Sequence, residues 1–263
     1  MATLTKPAYL LEHDWAHEPR RLELLERHAD PTSFRRLRAT GVGPGWNCLE
    51  IGAGRGSVAR WLAQEVLPYG NVTALDLDTS LLDWLDEPNV EVVEGDVLEI
   101  DLPEESYDLI HTRLVLMHIP ERRRALERIL TWLRPGGWLV TEELDAMTLF
   151  ADPHRDRITL FKGYREALPT IDMVCGRALI EELTEAGLGR VTADVRVDVV
   201  EGATDLAEWE QLSVLALANE PLEAGTVTPQ QIDAHLTALD DPDYRGLGFS
   251  WVGATGRRTP APA

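Results

Sequence analysis

Glu50-Ile51-Gly52-Ala53-Gly54-Arg55-Gly56-Ser57 decides how this chain is read. An apolar run, Asn47 to Ile51, leads into it, and an amphipathic stretch with Val58, Trp61, Leu62 and Val66 leaves it. The pattern is strand, glycine turn, helix. Glycine permits a sharp turn and lets a ligand approach the backbone. The helix start at Ser57, which this reading makes its cap, offers free N–H groups to an anionic group.

Working outward, short apolar runs alternate with amphipathic segments. Strands are expected at Val72–Leu75, Val90–Val93, Tyr107–His111 and Trp138–Thr141. Helices are expected between them, one with Leu81, Leu82 and Leu85, another with Ala125, Leu126, Ile129 and Leu133, closed by the turn Arg134-Pro135-Gly136-Gly137. This rhythm predicts a Rossmann-like α/β fold, a mostly parallel seven-stranded sheet with helices on both faces. Upstream, residues 1–40 read as a helical lid broken into two helices at Asp30-Pro31. Downstream, helical insertions follow strands 5 and 6, with later strands at Arg190–Val200 and Gly248–Gly256 pairing antiparallel at the sheet edge. The expected organisation is one domain over 1–263: a lid (1–40), a cofactor-binding half (41–146), and substrate-cap insertions with edge strands (147–263).

Composition narrows the function. Lys and Arg total 25 against 45 Asp and Glu, a net charge of −20 that repels a phosphate backbone. The Arg122-Arg123-Arg124 run lies among glutamates and reads as a solvated helix face. A nucleic-acid partner is therefore not expected. No apolar run reaches about 18 residues, so no membrane span is expected either. The start of the chain has no signal-peptide core, and a cytoplasmic location follows as an expectation. Two cysteines, Cys48 and Cys175, make neither a disulfide framework nor a zinc site, and no tight His/carboxylate spacing suggests another metal. Oligomeric state is left open.

The strand ends carry the chemistry. Asp76 follows the glycine loop by about twenty residues, the spacing at which a carboxylate accepts from ribose hydroxyls. Asp96 ends the third strand in Glu94-Gly95-Asp96-Val97, placed to accept from an exocyclic amine. The order ExGxGxG, LDLD (75–78), EGDV (94–97), YDLIHTRLVLMHIP (107–120) and LRPGGWLVTEE (133–143) resembles class I S-adenosylmethionine-dependent methyltransferases, in particular the small-molecule branch around ubiquinone and natural-product methyltransferases. The resemblance covers Tyr9 to Leu144 well and later residues loosely. It implies S-adenosyl-L-methionine as cofactor. It also implies cofactor contacts from Glu50, Gly52, Ala53, Gly54, Gly56, Asp76, Leu77, Asp96, Val97 and Arg113, with Tyr9 contributed by the lid.

Methyl transfer needs a collinear, water-free arrangement, and a base only where the acceptor loses a proton. His118, His154 and Glu143 are the catalytic candidates; Glu142, His13 and His111 stand behind them. Alternation sends Glu142 and Glu143 to opposite faces. A partly apolar or aromatic small acceptor is expected if Phe150, Phe161, Tyr164, Leu168, Ile171, Met173, Trp209 and Leu212 line a pocket rather than a small core beneath the cap. O-, C- and N-methylation are not separated. Competing readings are a sulfonium-assisted cyclase, a non-catalytic protein of the same fold, and a nicotinamide-dependent oxidoreductase. The last shares the loop and Asp76 but is disfavoured by the even glycine spacing.

Overall fold

A computed structural model describes residues 15–259. Seven strands form one sheet: β1 (Asn47–Ile51), β2 (Asn71–Asp76), β3 (Val90–Glu94), β4 (Tyr107–Arg113), β5 (Leu133–Asp145), β6 (Leu188–Glu201) and β7 (Arg245–Arg258). Their order is β3-β2-β1-β4-β5-β7-β6. The first five are parallel, and β7 runs antiparallel between β5 and β6. Period-two alternation sorts the central strands onto two cores. Leu49, Leu75, Ile110 and Leu139 face a core shared with helix α3 (Arg122–Trp132). Cys48, Val72, Ala74, Leu109 and Val140 face the core under helix α2 (Ser57–Glu65). The α/β architecture expected from the sequence is therefore present, with helices on both faces.

The insertions fall where the sequence indicated. Helices α4 (Arg155–Ala167) and α5 (Leu179–Glu185) lie between β5 and β6. Helices α6 (Asp205–Ala216), α7 (Asn219–Ala224) and α8 (Pro229–Asp240) lie between β6 and β7. The edge strands are longer than their alternating valines indicated, because β6 and β7 pair nearly end to end, from Leu188 opposite Arg258 to Glu201 opposite Arg245.

Four local expectations are corrected. Helix α1 (Glu18–Ala39) runs unbroken for 22 residues, with Pro31 inside it. A proline removes one backbone donor and crowds the preceding turn, but both halves of α1 are pinned: Leu24, Leu25, Ala29 and Leu37 are buried, and Asp30 accepts hydrogen bonds from Arg113 and Ser57. Ser57 therefore spends its hydroxyl on Asp30 rather than on capping α2, whose N-cap is Gly56. The segment after β2 is turns, not a helix; Asp78 accepts from Ser80 N–H, and Leu82 and Leu85 are buried against the α2 core. Finally, Arg134–Gly137 bulges within β5, whose pairing jumps from Tyr107↔Leu133 to Leu109↔Trp138.

Among the described residues no helix is long and apolar enough to cross a membrane.

Candidate active site

The carboxyl ends of β1, β2 and β4, the segment after β3, and helix α1 surround a cavity of about 620 Å³ that continues beneath α4 and α6. Open parallel sheets place their ligands at this edge. At the β1 end, Gly52 N–H and Ala53 N–H donate to Leu75 O at 2.8 and 3.1 Å, and Gly54 N–H donates to Asp76 Oδ2 at 2.7 Å. Two glycines are needed for different reasons. Gly52 has φ +72°, and a Cβ on it would lie 2.2 Å from Val115 Cγ2. Gly54 has φ +56° and faces open space, with Leu22 Cδ1 nearest at 4.0 Å. This is a cradle in which backbone lies bare to the cavity.

Gly52, Ala53, Gly54, Asp76, Leu77, Asp96, Val97 and Arg113 all line the cavity, as the sequence reading required of cofactor contacts. Asp96 also accepts from Leu98 N–H at 2.8 Å, which fixes its carboxylate at the strand end. Arg113 donates to Asp30 Oδ1 and Ser33 Oγ at 2.8 and 3.0 Å, so it borders the cavity and ties α1 to β4. Two residues do not behave as expected. Gly56 lies outside the lining, under Leu82 and Leu85, and serves as the left-handed N-cap of α2. Glu50 is 2% exposed and also absent from the lining; its Oε2 sits 2.7 Å from His111 Nδ1. Its position on the α2 face of β1 turns it away from the ligand side. Tyr9 and His13 lie outside the described residues.

Beneath the loop runs a buried chain of charges. His111 Nε2 is 3.2 Å from Glu142 Oε1, and Arg36 donates to Glu142 Oε2 at 2.5 Å and to Asp194. Alternation puts Glu50, His111 and Glu142 on one sheet face, with Glu50 directly opposite His111. Burial works against a charged His111, but the Coulombic pull of Glu50 and hydrogen bonds to both carboxylates raise its pKa to about 9. Burial pushes Glu142 up, but the hydrogen bond and charge of His111 with the charges of Arg36 and Arg113 outweigh it and hold Glu142 at about 2. This network anchors α1 over the sheet.

Of the three catalytic candidates, one reaches the cavity. His118 lines it; burial, reinforced by the Arg21 charge, lowers its pKa to about 4, so the imidazole is neutral near pH 7. Glu143 does not line it. Its carboxylate accepts from the N–H groups of Val115, Leu116 and Met117 at 3.2, 2.8 and 3.3 Å, organising the turn that carries His118, and burial raises it to about 7. Glu142 is committed to His111 and Arg36, so neither strand-end glutamate points at a substrate. His154 is exposed at the start of α4, 2.8 Å from Arg245 O and stacked on Tyr244, away from the cavity. Its position at the outer end of the helix corrects its candidacy.

The cavity also has an aromatic lining. Of the residues the sequence left open between pocket and core, Phe161, Tyr164, Ile171, Met173 and Trp209 line the cavity, and Phe150, Leu168 and Leu212 do not. Phe161 and Phe249 meet edge to face, 5.5 Å and 89° apart. The sequence reading missed Arg21 and Glu26 of α1, Glu210 and Ser213 of α6, and Phe249 of β7. Arg21 and Glu26 lay within a segment read only as a lid. The spacing 209, 213 and 217 on α6 was the available signal for that helix, since positions four apart share one face.

Residues 49–141 match a family model described as a methyltransferase domain. The chain is 34% identical over 135 residues to methyltransferase str2 of Strobilurus tenacellus, covering 51% of this chain and 47% of that protein. It is 30% identical over 105 residues to the demethylmenaquinone methyltransferase of Listeria welshimeri, covering 37% and 44%. The matched part is thus less than half the length of either relative. The fold is similar to that of phosphoethanolamine N-methyltransferase 2 of Haemonchus contortus, solved with phosphomonomethylethanolamine and S-adenosylhomocysteine (TM-score 0.55, 15% identity, 92% of this chain and 53% of that one). The glycine cradle and the acidic strand ends that line the cavity beside it thus lie within the part of the chain, residues 49–141, that is similar to a methyltransferase domain.

Proposed function

We propose that this protein transfers the methyl group of S-adenosylmethionine to a small, partly apolar or aromatic metabolite. The observation that carries this reading is one cavity lined both by a glycine cradle with Asp76 and Asp96 and by the aromatic residues Phe161, Tyr164, Trp209 and Phe249. Such a cavity holds donor and acceptor side by side. When bound, the cofactor supplies an electrophilic methyl on a sulfonium. Asp76 and Asp96 accept hydrogen bonds from its ribose and adenine, and the bare backbone at Gly54 lets its amino-acid end approach. The protein's main contribution is then positioning and exclusion of water, the largest gain available to a reaction whose electrophile is already activated.

His118 is the group that takes a proton where the acceptor must lose one. It borders the cavity, is neutral near pH 7, and stands on a turn held rigid by Glu143. Its contribution is expected to be about 10²–10⁴ in rate. A metabolite acceptor, met in the cytoplasm and in secondary metabolism, fits the −20 charge better than a nucleic acid does. The similarity to a demethylmenaquinone methyltransferase, named for a small-molecule acceptor, supports the same class.

The test is calorimetric titration with S-adenosylmethionine, S-adenosylhomocysteine and NADH. Binding of both sulfur nucleotides and not NADH supports the reading. Binding of NADH alone, or of none, overturns it. With an acceptor in hand, S-adenosylhomocysteine formed in step with methylated product separates methyl transfer from cofactor-assisted cyclisation.

A further inference from the structure

The two edges of the sheet differ. β3 is five residues long, with Glu91 and Glu94 exposed along it. Short, charged edges resist pairing with another chain. β6 runs for 14 residues and, among the described residues, pairs only with β7. Its side chains alternate between two faces. Asp194, Arg196 and Asp198 face α1, where Arg36 donates to Asp194 Oδ1 at 3.1 Å, Arg196 donates to Thr32 Oγ1 at 2.6 Å, and His28 Nε2 lies 3.0 Å from Asp198 Oδ2. Val195, Val197 and Val199 fall on the other face and are 57%, 42% and 52% exposed. A long edge strand with an exposed apolar stripe is a template for another strand.

The sequence of this edge complements itself. Between irregularities at Gly189/Thr192 and Val197/Val199, its pairing with β7 is regular from Thr192 to Val197. An antiparallel copy related by a two-fold axis through the sheet keeps each face on its own side. The axis must then pass through a residue and not between two, because directly opposed side chains share a face. Through Asp194 it would set that carboxylate against its own copy, and through Arg196 that guanidinium against its own copy. Like charges directly opposite are destabilising. Axes through Ala193 or Val197 carry the pairing off the regular stretch. Through Val195, the axis sets Val195 against Val195, Asp194 against Arg196, Ala193 against Val197 and Thr192 against Asp198. Every pair is then apolar, oppositely charged or hydrogen-bonding. Asp194 is exposed and Arg196 only partly buried, so both are open to a partner strand.

We propose that β6 is the interface of a homodimer, in which two copies of this chain pair antiparallel about a two-fold axis at Val195 and join their sheets. The symmetric arrangement consumes the long edge of each chain, so assembly stops at two. Ala193, Val195 and Val197 of both strands then form one apolar stripe on the face away from α1. No residue of β6 lines the cavity, so the interface does not depend on the methyl-transfer reading.

The test is sedimentation equilibrium of the full chain at micromolar concentration, with three single variants. Expected for the wild type is a species of twice the chain mass. Val195→Lys sets two ammonium groups face to face and should raise the dissociation constant about tenfold or more. Val195 is exposed in the single chain, so circular dichroism should show the fold of this variant unchanged. Under mild oxidation Val195→Cys should form an interchain disulfide, since directly opposed residues lie about 4.5–5.5 Å apart, within disulfide range. Val197→Cys should not, because its counterpart lies about 13 Å away along the strand. Cys48 and Cys175 are buried and leave the readout to the introduced thiol. A monomeric wild type, a mass that keeps growing with concentration, an undiminished dimer in Val195→Lys, or crosslinking through Val197→Cys in place of Val195→Cys overturns the proposal.

Discussion

His111 Nδ1 lies 2.7 Å from Glu50 Oε2, and this buried contact joins the strand that carries the glycine loop to the strand that leads into the His118 turn. The acid before the first glycine is thereby a structural residue. It stands opposite a cation on the neighbouring strand rather than opposite the ligand.

Replacing His111 should therefore destabilise the fold more than it alters chemistry. His111→Leu leaves two buried carboxylates, Glu50 and Glu142, without the cation between them. Breaking a buried pair costs about 3–5 kcal/mol, measurable as a lowered urea midpoint. A midpoint within error of wild type would show that the network does not hold the sheet together.

The same network sets a pH window. The folded pKa of His111 is raised from 6.5 to about 9. Its stabilisation is complete below about 6.5 and lost as pH rises through about 9. Glu142 is lowered from 4.5 to about 2, so its contribution is present above about 4.5 and lost as pH falls towards 2. Urea midpoints of wild type and His111→Leu should converge between pH 7 and 10. A constant gap across that range would mean that His111 is not the titrating group.

Asp76→Ala should weaken S-adenosylmethionine binding by about tenfold or more, the loss expected from hydrogen bonds to a charged acceptor. The fold should survive, since Asp76 lines the cavity rather than the core. Calorimetry with a parallel melting curve decides; wild-type affinity in a folded variant removes Asp76 from the ribose role.

The glycines should separate. Gly54→Val puts a side chain into open cavity and should abolish cofactor binding in a chain that still folds, at a modest cost from its positive φ. Gly52→Val drives a side chain into Val115 and should lower the melting temperature as well. If Gly54→Val binds cofactor normally, the loop does not approach the ligand.

For an acceptor that loses a proton, His118→Ala should lower kcat by about 10²–10⁴ with cofactor affinity unchanged. The wild-type rate should fall as pH drops through about 4, where the imidazole protonates. A variant with near-normal kcat, or a wild type without that acid limb, assigns the proton to another group.

What the sequence alone determined is local. Alternating glycines after an apolar run specify strand, turn and helix, and an acid at the end of each following strand lands at the same sheet edge because parallel strands share direction. The alternation rule also assigned Glu142 and Glu143 to opposite faces. It could not say that one would meet His111 and Arg36 and the other three backbone N–H groups, so that neither reaches substrate. Pro31 misled because its local cost is outweighed by burial and ion pairing with residues such as Arg113, 83 positions away from Asp30. His154 and His118 look alike as isolated histidines. Only packing sends one to the surface beside Tyr244 and the other into the cavity. The pairing of β7 with β5, which brings Phe249 to the cavity, joins segments more than a hundred residues apart, and no local pattern encodes that choice.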